Sequence, residues 1–214
     1  MCSVRERGVI VRRRSGGVVE LVRGSVILLS SAALETERAF GRLAASIVSA
    51  PRRVLVGGLG FGATVRGVLD VAPAQARVVV VEKVPEVERL LRGPLTHFDP
   101  GVLDDPRVSV VHGDVANVLA QAGDGELDVV LLDVDNGPHW ASFRSNARLY
   151  TPAWLATVRR VLAPMGGLAV WSGYRADAFL ARLRTAGFTP SLVPLRERER
   201  IRARAYVGRK DARR

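Results

Sequence analysis

Four glycines interrupt the segment VLVGGLGFGATVRGVL at residues 54–69, and a helical pattern begins directly after them. They are Gly57, Gly58, Gly60 and Gly62. A glycine-rich turn between a strand and a helix lets backbone amides approach a nucleotide closely, because a Cβ atom would collide with it. The spacing fits both the dinucleotide pattern G-x-G-x-x-A and the G-x-G-x-G turn of nucleoside-binding enzymes, and by itself it does not choose between them.

Three acidic residues, Glu82, Asp114 and Asp133, each stand at the end of an apolar run that predicts a buried strand. The carboxyl ends of parallel strands lie at one rim of a sheet, and ligands bind there near the point where the strand order reverses. A carboxylate at the end of the second strand can accept both hydroxyl groups of a ribose. Each acid alone is as typical of a helix cap or a solvated loop as of a ligand-binding site. Their recurrence at equivalent positions predicts a common site around one nucleoside.

The alternation of strand and helix patterns after Arg53 predicts an α/β fold. Unbroken apolar runs such as VVVV and VVLLDV are typical of strands covered on both faces, as in a parallel sheet between two helix layers. The last two runs, TPSLVPL and RIRARAYVGR, indicate a closing antiparallel hairpin. We therefore expect residues 51–214 to form a Rossmann-like three-layer sandwich, with a mostly parallel seven-stranded sheet and an antiparallel last strand.

The first 50 residues carry a different pattern. Short β-rich runs separated by glycine turns predict a β-hairpin or a three-stranded meander. Ser31 then offers an N-cap for a helix that ends before Pro51. The apolar positions that recur at helical spacing are Leu34, Ala39, Leu43 and Ile47. Residues 1–50 are therefore predicted to be a small hairpin-and-helix lid that precedes the main domain.

The formal net charge of +11 suggests a nucleic-acid partner, but 30 of the 32 basic residues are arginine, as a GC-rich genome would produce without selection for binding. Residues 97–140, by contrast, hold nine acids and one arginine, so a basic chain surrounds a locally acidic segment. No apolar run approaches the ~20 residues that span a bilayer, and the start lacks a signal-peptide pattern. We expect a cytoplasmic protein without a membrane partner. His97 and His112 lack metal-ligand spacing, so no metal site is predicted.

Five segments, in this order and spacing, resemble the spermidine synthase branch of the class I S-adenosylmethionine-dependent methyltransferase superfamily. They are VLVGGLGFGATVRGVL, VVVVEKVPEV, DDPRVSVVHGDVANVL, LDVVLLDVDNGP and LYTPAWLATVRRVLAPMGGLAVWS. The resemblance implies that the four glycines wrap the amino-acid end of S-adenosylmethionine, or of its decarboxylated form, and that Glu82 holds the ribose. It implies that Asp114 accepts from the adenine amino group with Val115 alongside. Asp133 would face the reacting centre.

Two motifs depart from the polyamine synthases of this family. Their first turn reads G-G-G-D-G-G, whereas residues 57–62 read G-G-L-G-F-G, so an acid that could meet a cationic end of the donor is missing and an aromatic stands there instead. Their D-S-S-D-P after the fourth strand becomes D-V-D-N-G-P at residues 133–138. Because the acids typical of polyamine synthesis are altered while the nucleoside-binding positions survive, we place methyl transfer slightly ahead of aminopropyl transfer.

The residues after the fourth strand are candidates for the acceptor site. Asp133 and Asp135 share a face if the chain continues extended, and such a pair could hold an amine. A carboxylate in contact with an ammonium group can take its proton as attack begins, which is a general-base role. Asn136, His139, Trp140 and Tyr150 are further candidates for the acceptor pocket, where an indole packs on a cationic or planar substrate. For the tryptophan and the tyrosine, core packing is an equally good interpretation.

Three classes of function stay open on the sequence. The first is group transfer from an S-adenosyl donor to a small-molecule nucleophile, with a diamine as the acceptor in the aminopropyl alternative. The second is nucleic-acid binding or RNA modification through the basic run RERERIRARAYVGRK. The third is a donor-binding scaffold without catalysis. The apolar strand SVILLS could also mediate a homodimer, as members of the family commonly pair.

Overall fold

A four-stranded antiparallel sheet is followed along the chain by a seven-stranded sheet with helices on both faces. The computed structural model describes residues 5–6, 8–134 and 144–212, without the side chains of residues 5, 144, 145 and 147. The strands are β1 (Arg5–Glu6), β2 (Val9–Arg13), β3 (Val19–Arg23), β4 (Val26–Ser30), β5 (Arg53–Gly57), β6 (Arg77–Glu82), β7 (Val108–His112), β8 (Leu127–Leu132), β9 (Leu162–Ser172), β10 (Thr189–Glu197) and β11 (Arg200–Arg209). The helices are α1 (Leu34–Ile47), α2 (Ala63–Leu69), α3 (Pro85–Arg92), α4 (Val115–Gln121), α5 (Pro152–Val161) and α6 (Ala178–Thr185).

The larger sheet has the strand order β10-β11-β9-β8-β5-β6-β7. Strands β5 to β9 pair in parallel, whereas β11 pairs antiparallel with both β9 and β10. The predicted seven-stranded sheet with an antiparallel last strand is therefore confirmed. From β5 the chain builds outward through β6 and β7, and it then returns to form β8 on the other side of β5. The strand order reverses at β5 and β8, where open α/β sheets bind their ligands.

The side chains of the central strands alternate between two hydrophobic clusters. In β8, Val129 and Leu131 pack with residues of α1, α2 and α3, whereas Val130 and Leu132 pack with residues of α4, α5 and α6. This alternation explains the unbroken apolar runs and confirms the three-layer sandwich. None of the helices in the described ranges is long and apolar enough to cross a membrane.

The small sheet has the order β1-β2-β3-β4, one short strand more than the predicted meander. The prediction that Ser31 caps the following helix is wrong. Its hydroxyl oxygen accepts from the amide of Val19 at 2.9 Å, which ties the chain before α1 to β3. Ser30 instead accepts from the amide of Ala32 at 3.4 Å at the start of a 3₁₀ turn. The boundary predicted at residue 50 stays a prediction.

Helix α1 crosses α2 at a contact made by backbone atoms. A Cβ atom on Gly41 would lie 2.1 Å from the carbonyl oxygen of Thr64, and one on Gly67 would lie 2.1 Å from that of Arg38. The buried face of α1 accordingly differs from the predicted stripe, of which Ile47 alone is fully buried. The buried residues are Thr36, Phe40, Gly41, Ala44 and Ile47. Small residues face α2 because a larger side chain would hold the helices apart.

We expect Gly41→Ala to lower the free energy of unfolding by about 2 kcal/mol. Alanine favours a helix over glycine by ~1 kcal/mol, but a methyl group forced against a backbone oxygen costs ~3 kcal/mol, the upper end of the overpacking range. Urea unfolding measures the difference through the midpoint at constant slope. Gly113→Ala is the matched control, because nothing lies within 4 Å of its Cβ position. A Gly41→Ala variant more stable than the wild type would contradict the close crossing.

Candidate active site

The glycine turn joins β5 to α2 at the point where the strand order reverses. The amide of Gly58 donates to the carbonyl oxygen of Val81 at 2.9 Å, and the amide of Asp133 donates to that of Gly57 at 2.8 Å. Gly58 has φ +94°, and a Cβ atom there would lie 2.2 Å from the carbonyl oxygen of Asp133. A side chain at this position is therefore excluded by the neighbouring loop of the protein itself.

Only two of the four glycines line the cleft above this turn, Gly58 and Gly60. At Gly57 a Cβ atom would meet Leu132 at 2.9 Å, and at Gly62 it would meet Val102 at 2.9 Å, so both positions face protein atoms. Gly60 has φ +56° and open space on its Cβ side, with Leu29 as the nearest neighbour at 3.9 Å. Of the four, Gly60 is thus the position whose bare backbone is free to approach a ligand.

The aromatic residue of the turn does not occupy the place of the missing acid. Phe61 is 2% exposed, and its ring centroid lies 4.6 Å from that of Phe98. Position by position, the acid of G-G-G-D-G-G falls on Gly60, which opens to the cleft. The turn therefore presents neither an acid nor an aromatic ring to the cleft.

The cleft lies over the carboxyl ends of β5, β6, β7 and β8. It collects most of the predicted nucleoside-binding side chains, since Glu82, Asp114, Val115 and Asp133 all line it. Leu28 and Leu29 of β4 cover it from the small sheet. A concave site with an apolar lining and a few polar groups is typical of small-molecule binding.

Glu82 at the end of β6 is buried, and both of its carboxylate oxygens are engaged. Oε2 accepts from the amide of Leu59 at 2.9 Å, and Oε1 accepts from the amide of Val84 at 2.8 Å. Burial raises the pKa of Glu82, and the hydrogen bonds from these amides act against that rise. The carboxylate fixes the glycine turn in place. The amide of Lys83 is a third donor to this carboxylate. Of its about four acceptor positions, one remains for a ligand hydroxyl.

Asp114 caps α4 and is also paired with two cations. Its side chain accepts from the amide of Ala116 at 3.0 Å, and it lies 3.0 Å from Lys83 Nζ and 2.8 Å from Arg148 Nη2. Burial acts to raise the pKa of Asp114, but the hydrogen bonds from Arg148, Lys83 and Ala116 outweigh it and hold the pKa below its ordinary value. Both interpretations of this acid, a helix cap and a residue of the cleft, therefore apply.

Asp133 follows β8 and points toward the α1 and α2 layer. The hydroxyl of Thr64 donates to its Oδ2 at 2.6 Å. Burial raises the pKa of Asp133 from 3.8 to about 6, and the hydrogen bond from Thr64 opposes the rise. A carboxyl group with a pKa near neutrality changes its protonation state readily at the operating pH, which suits a general base.

The remaining predicted residues divide into two groups. Tyr150 is 3% exposed and packs edge-to-face on Phe179, with ring centroids 5.7 Å apart, so the structure places it in the core under α6 and not at the cleft. The candidates Asp135, Asn136, His139 and Trp140 lie outside the described residues.

The structure adds four polar residues that sequence reasoning missed. Lys83 and Asn146 line the cleft, Arg148 pairs with Asp114, and Glu37 of α1 is close enough to Asp133 to be affected by its charge. The sequence carries one usable signal among them. Glu37 stands one turn before Gly41 on the buried side of α1, where a charged residue is out of place.

No protein-family model matches the sequence. The chain is 38% identical to a polyamine aminopropyltransferase of Streptomyces coelicolor over 122 residues, which cover 56% of this chain and 22% of that protein. It is 35% identical to one of Hyperthermus butylicus over 130 residues, which cover 59% of this chain and 42% of that protein. The predicted resemblance to the spermidine synthase branch is confirmed.

The fold agrees with the sequence relatives. A spermidine synthase in complex with the transition state analogue AdoDATO superimposes with a TM-score of 0.77 at 17% identity, over 99% of this chain and 74% of that one. The chain spans between about a fifth and two fifths of the length of the two sequence relatives named above. The activity of the longer proteins is therefore a matter of proposal for this one.

We expect the free energy of unfolding of the wild type to fall, relative to that of Asp133→Asn, as pH rises from 3.8 through about 6. The raised pKa means that the folded protein binds this proton more tightly than the unfolded chain does, so the stabilisation is present below 3.8 and is lost above about 6. Urea unfolding at pH values on either side of this window measures the difference. Thr64→Val should extend this pH window upward, because the Thr64 hydroxyl lowers the pKa of Asp133. A difference that is constant with pH would contradict the shift.

Proposed function

We propose that the chain is a transferase that uses an S-adenosyl donor and moves an aminopropyl group from decarboxylated S-adenosylmethionine to an amine. The observation that supports it most is the meeting of Glu82, Asp114 and Asp133 with Gly60 in one cleft. Three acids from three strands and one bare backbone position suit a nucleoside together with a cationic reactant. The named relatives are polyamine aminopropyltransferases, which supports the amine.

This proposal reverses the order that the sequence suggested. The altered acids at residues 57–62 and 133–138 placed methyl transfer slightly ahead, with aminopropyl transfer as a close alternative. The relatives support the alternative, since both are named for aminopropyl transfer. Methyl transfer to a small-molecule nucleophile remains the second candidate, because the turn still lacks an acid at Gly60.

The residues of the cleft fit such a donor. Glu82 would accept from a ribose hydroxyl at the acceptor position that its backbone amide donors leave open. Asp114 would accept from an exocyclic amino group, with Val115 beside it, and Lys83 and Arg148 keep this acid ionised as an acceptor. Gly60 would let the backbone approach the donor's chain.

When bound, the donor supplies a carbon activated by the neighbouring sulfonium, so the protein mainly aligns the amine and removes its proton. An ammonium group has a pKa of ~10.4 and no free lone pair. Proton transfer from it to a carboxyl group of pKa 3.8 is strongly uphill, and burial narrows this gap because it raises the pKa of Asp133 to about 6. Asp133 can therefore take the proton as attack begins.

Two contacts at the closing hairpin speak against a nucleic-acid partner. The guanidinium of Arg196 donates to the carbonyl oxygen of Glu199 at 2.6 Å, and Arg202 lies 3.7 Å from Glu197. Two arginines of this run are thus bonded within the hairpin itself, as on a solvated surface.

A homodimer through β4 stays a proposal. The exposure of Val26 (41%) and Ile27 (42%) on the last strand of the small sheet supports it.

Glu82→Gln should weaken the binding of decarboxylated S-adenosylmethionine about tenfold to a hundredfold, since hydrogen bonds to a charged group are worth ~1.5–3 kcal/mol. Isothermal titration calorimetry measures the affinity, and a thermal melt verifies that the variant is folded. Asp104→Asn is the control, because this carboxylate is 80% exposed and lies outside the cleft. Unchanged affinity in the glutamine variant would remove Glu82 from the donor site.

Incubation with decarboxylated S-adenosylmethionine and a set of diamines should give methylthioadenosine and an amine extended by one aminopropyl group, identified by mass spectrometry. Asp133→Asn should lower kcat about 100-fold or more, as the loss of a general base does. S-adenosylhomocysteine formed from S-adenosylmethionine, with no aminopropyl product, would instead establish methyl transfer. Donor binding without either product would establish a scaffold.

A further inference from the structure

The close crossing of α1 over α2 brings a second acid to Asp133. Glu37 lies one helical turn before Gly41, on the same side of α1. The hydroxyl oxygen of Thr64 lies 2.6 Å from Asp133 Oδ2 and 3.3 Å from the carbonyl oxygen of Glu37, so one side chain connects both residues. Burial, followed by the negative charge of Asp133, raises the pKa of Glu37 well above its ordinary value. We call these two residues the carboxylate pair.

The carboxylate pair lacks a counter-ion within the described ranges, although the chain carries a net charge of +11. The three arginines of α1 and α2 are engaged elsewhere. Arg38 and Arg42 both bind Asp70, and Arg66 lies 2.7 Å from Asp99. Glu20 shows the contrasting arrangement, since Arg12 and Arg14 both bind it. Ionising both of two neighbouring half-buried carboxyl groups without a cation is unfavourable, because their negative charges repel. The pair is therefore more stable with a bound proton or with a cation from outside.

The indole of Trp171 is a third group to consider, since its N–H has no partner among the residues that the structure describes. The register of β8 and β9 pairs Leu132 with Val170. The residues that follow them, Asp133 and Trp171, therefore point to the same side of the sheet. Trp171 is 7% exposed, and its Nε1 donates to none of the described residues. The indole lines a groove with Thr36, the residue directly before Glu37. The indole N–H is a donor and takes no part in holding a cation, whereas the face of an indole attracts one, and it is through its face that this neighbour suits a positively charged ligand.

Resting on the proposed function, we propose that Glu37 and Asp133 together bind one ammonium group of the acceptor, with Glu37 as a further substrate-binding residue. A primary ammonium offers three N–H donors and a single positive charge. Two ionised carboxylates would carry two negative charges, and one such cation reduces the charge of the set to one, as a shared proton does. Asp133 then receives the ammonium proton during transfer, while Glu37 keeps the charge that holds the amine.

The empty pair and the occupied pair differ by a proton. Without a cation, the two acids share one proton, because two adjacent negative charges in a partly buried place repel each other. When an ammonium group binds, its charge favours ionisation of both acids, and the shared proton passes to the buffer. The binding of an amine should therefore release up to one proton per site.

Calorimetric titration with 1,4-diaminobutane, in two buffers of different ionisation enthalpy, measures this proton directly. We expect proton release in the wild type and its loss in Glu37→Gln. The affinity of that variant should be at least about tenfold lower, as for a lost charged hydrogen bond. Glu37→Asp should keep the proton release with weaker binding, which separates the carboxylate from the shape of the side chain. Glu35→Gln is the matched control, since it removes an exposed charge from the same helix.

Equal weakening in Glu35→Gln and Glu37→Gln would overturn the proposal, and so would unchanged proton release in Glu37→Gln. Equal proton release on adding Mg²⁺ alone, with competition against the diamine, would assign the pair to a metal instead. Steady-state kinetics separates this proposal from the proposed function. If product forms and Glu37→Gln leaves the KM for the amine unchanged, the pair fails while the function stands. If no amine gives product but the proton release depends on Glu37, the function fails while the pair stands.

Discussion

Where β5 and β8 end side by side, the carbonyl oxygen of Asp133 lies 2.2 Å from the place that a Cβ atom of residue 58 would take, so the two loops touch through backbone alone. The amide of Asp133 donates to the carbonyl oxygen of Gly57 at 2.8 Å and completes this junction. Glu82 extends it to β6, because its carboxylate holds the amide of Leu59 in the same turn. Three strands thus share one bonded unit, and the proposed donor site and Asp133 cannot shift independently of each other.

The acids around this junction differ in what balances their charge, and the difference matters for their chemistry. Asp114 is paired with Lys83 and Arg148, which keeps it ionised as a fixed acceptor. Glu82 is held by backbone amides, which suits hydrogen bonding to hydroxyl groups without a change of protonation. Asp133 receives one hydroxyl donor, and its pKa rises to about 6. The group with the weakest compensation is therefore the one whose protonation changes most readily.

The sequence predicted the larger sheet well because its signals are local. Apolar runs, glycines and strand-end acids are visible one segment at a time, and parallel strands bring their ends to one rim. It failed where the outcome depends on packing between distant segments. Leu34, Ala39 and Leu43 are only partly buried. The contact of Gly41 with α2 determines which face of α1 packs most deeply. Tyr150 was ambiguous in the sequence, and its ring contact with Phe179 is visible only in three dimensions.

Helix α1 offers a physical explanation for the absence of an acid from the glycine turn. The pattern of the polyamine synthases places a carboxylate where this chain has Gly60, and Phe61 cannot replace it because its ring is buried against Phe98. A negative charge near the reacting centre does not have to come from that turn, since any element that reaches Asp133 can supply it. Helix α1 reaches it because Gly41 and Gly67 allow the backbones to touch. On this interpretation the chain keeps two carboxylates for a cationic reactant and draws the second from α1, so the altered turn is a weaker reason for methyl transfer than the sequence suggested.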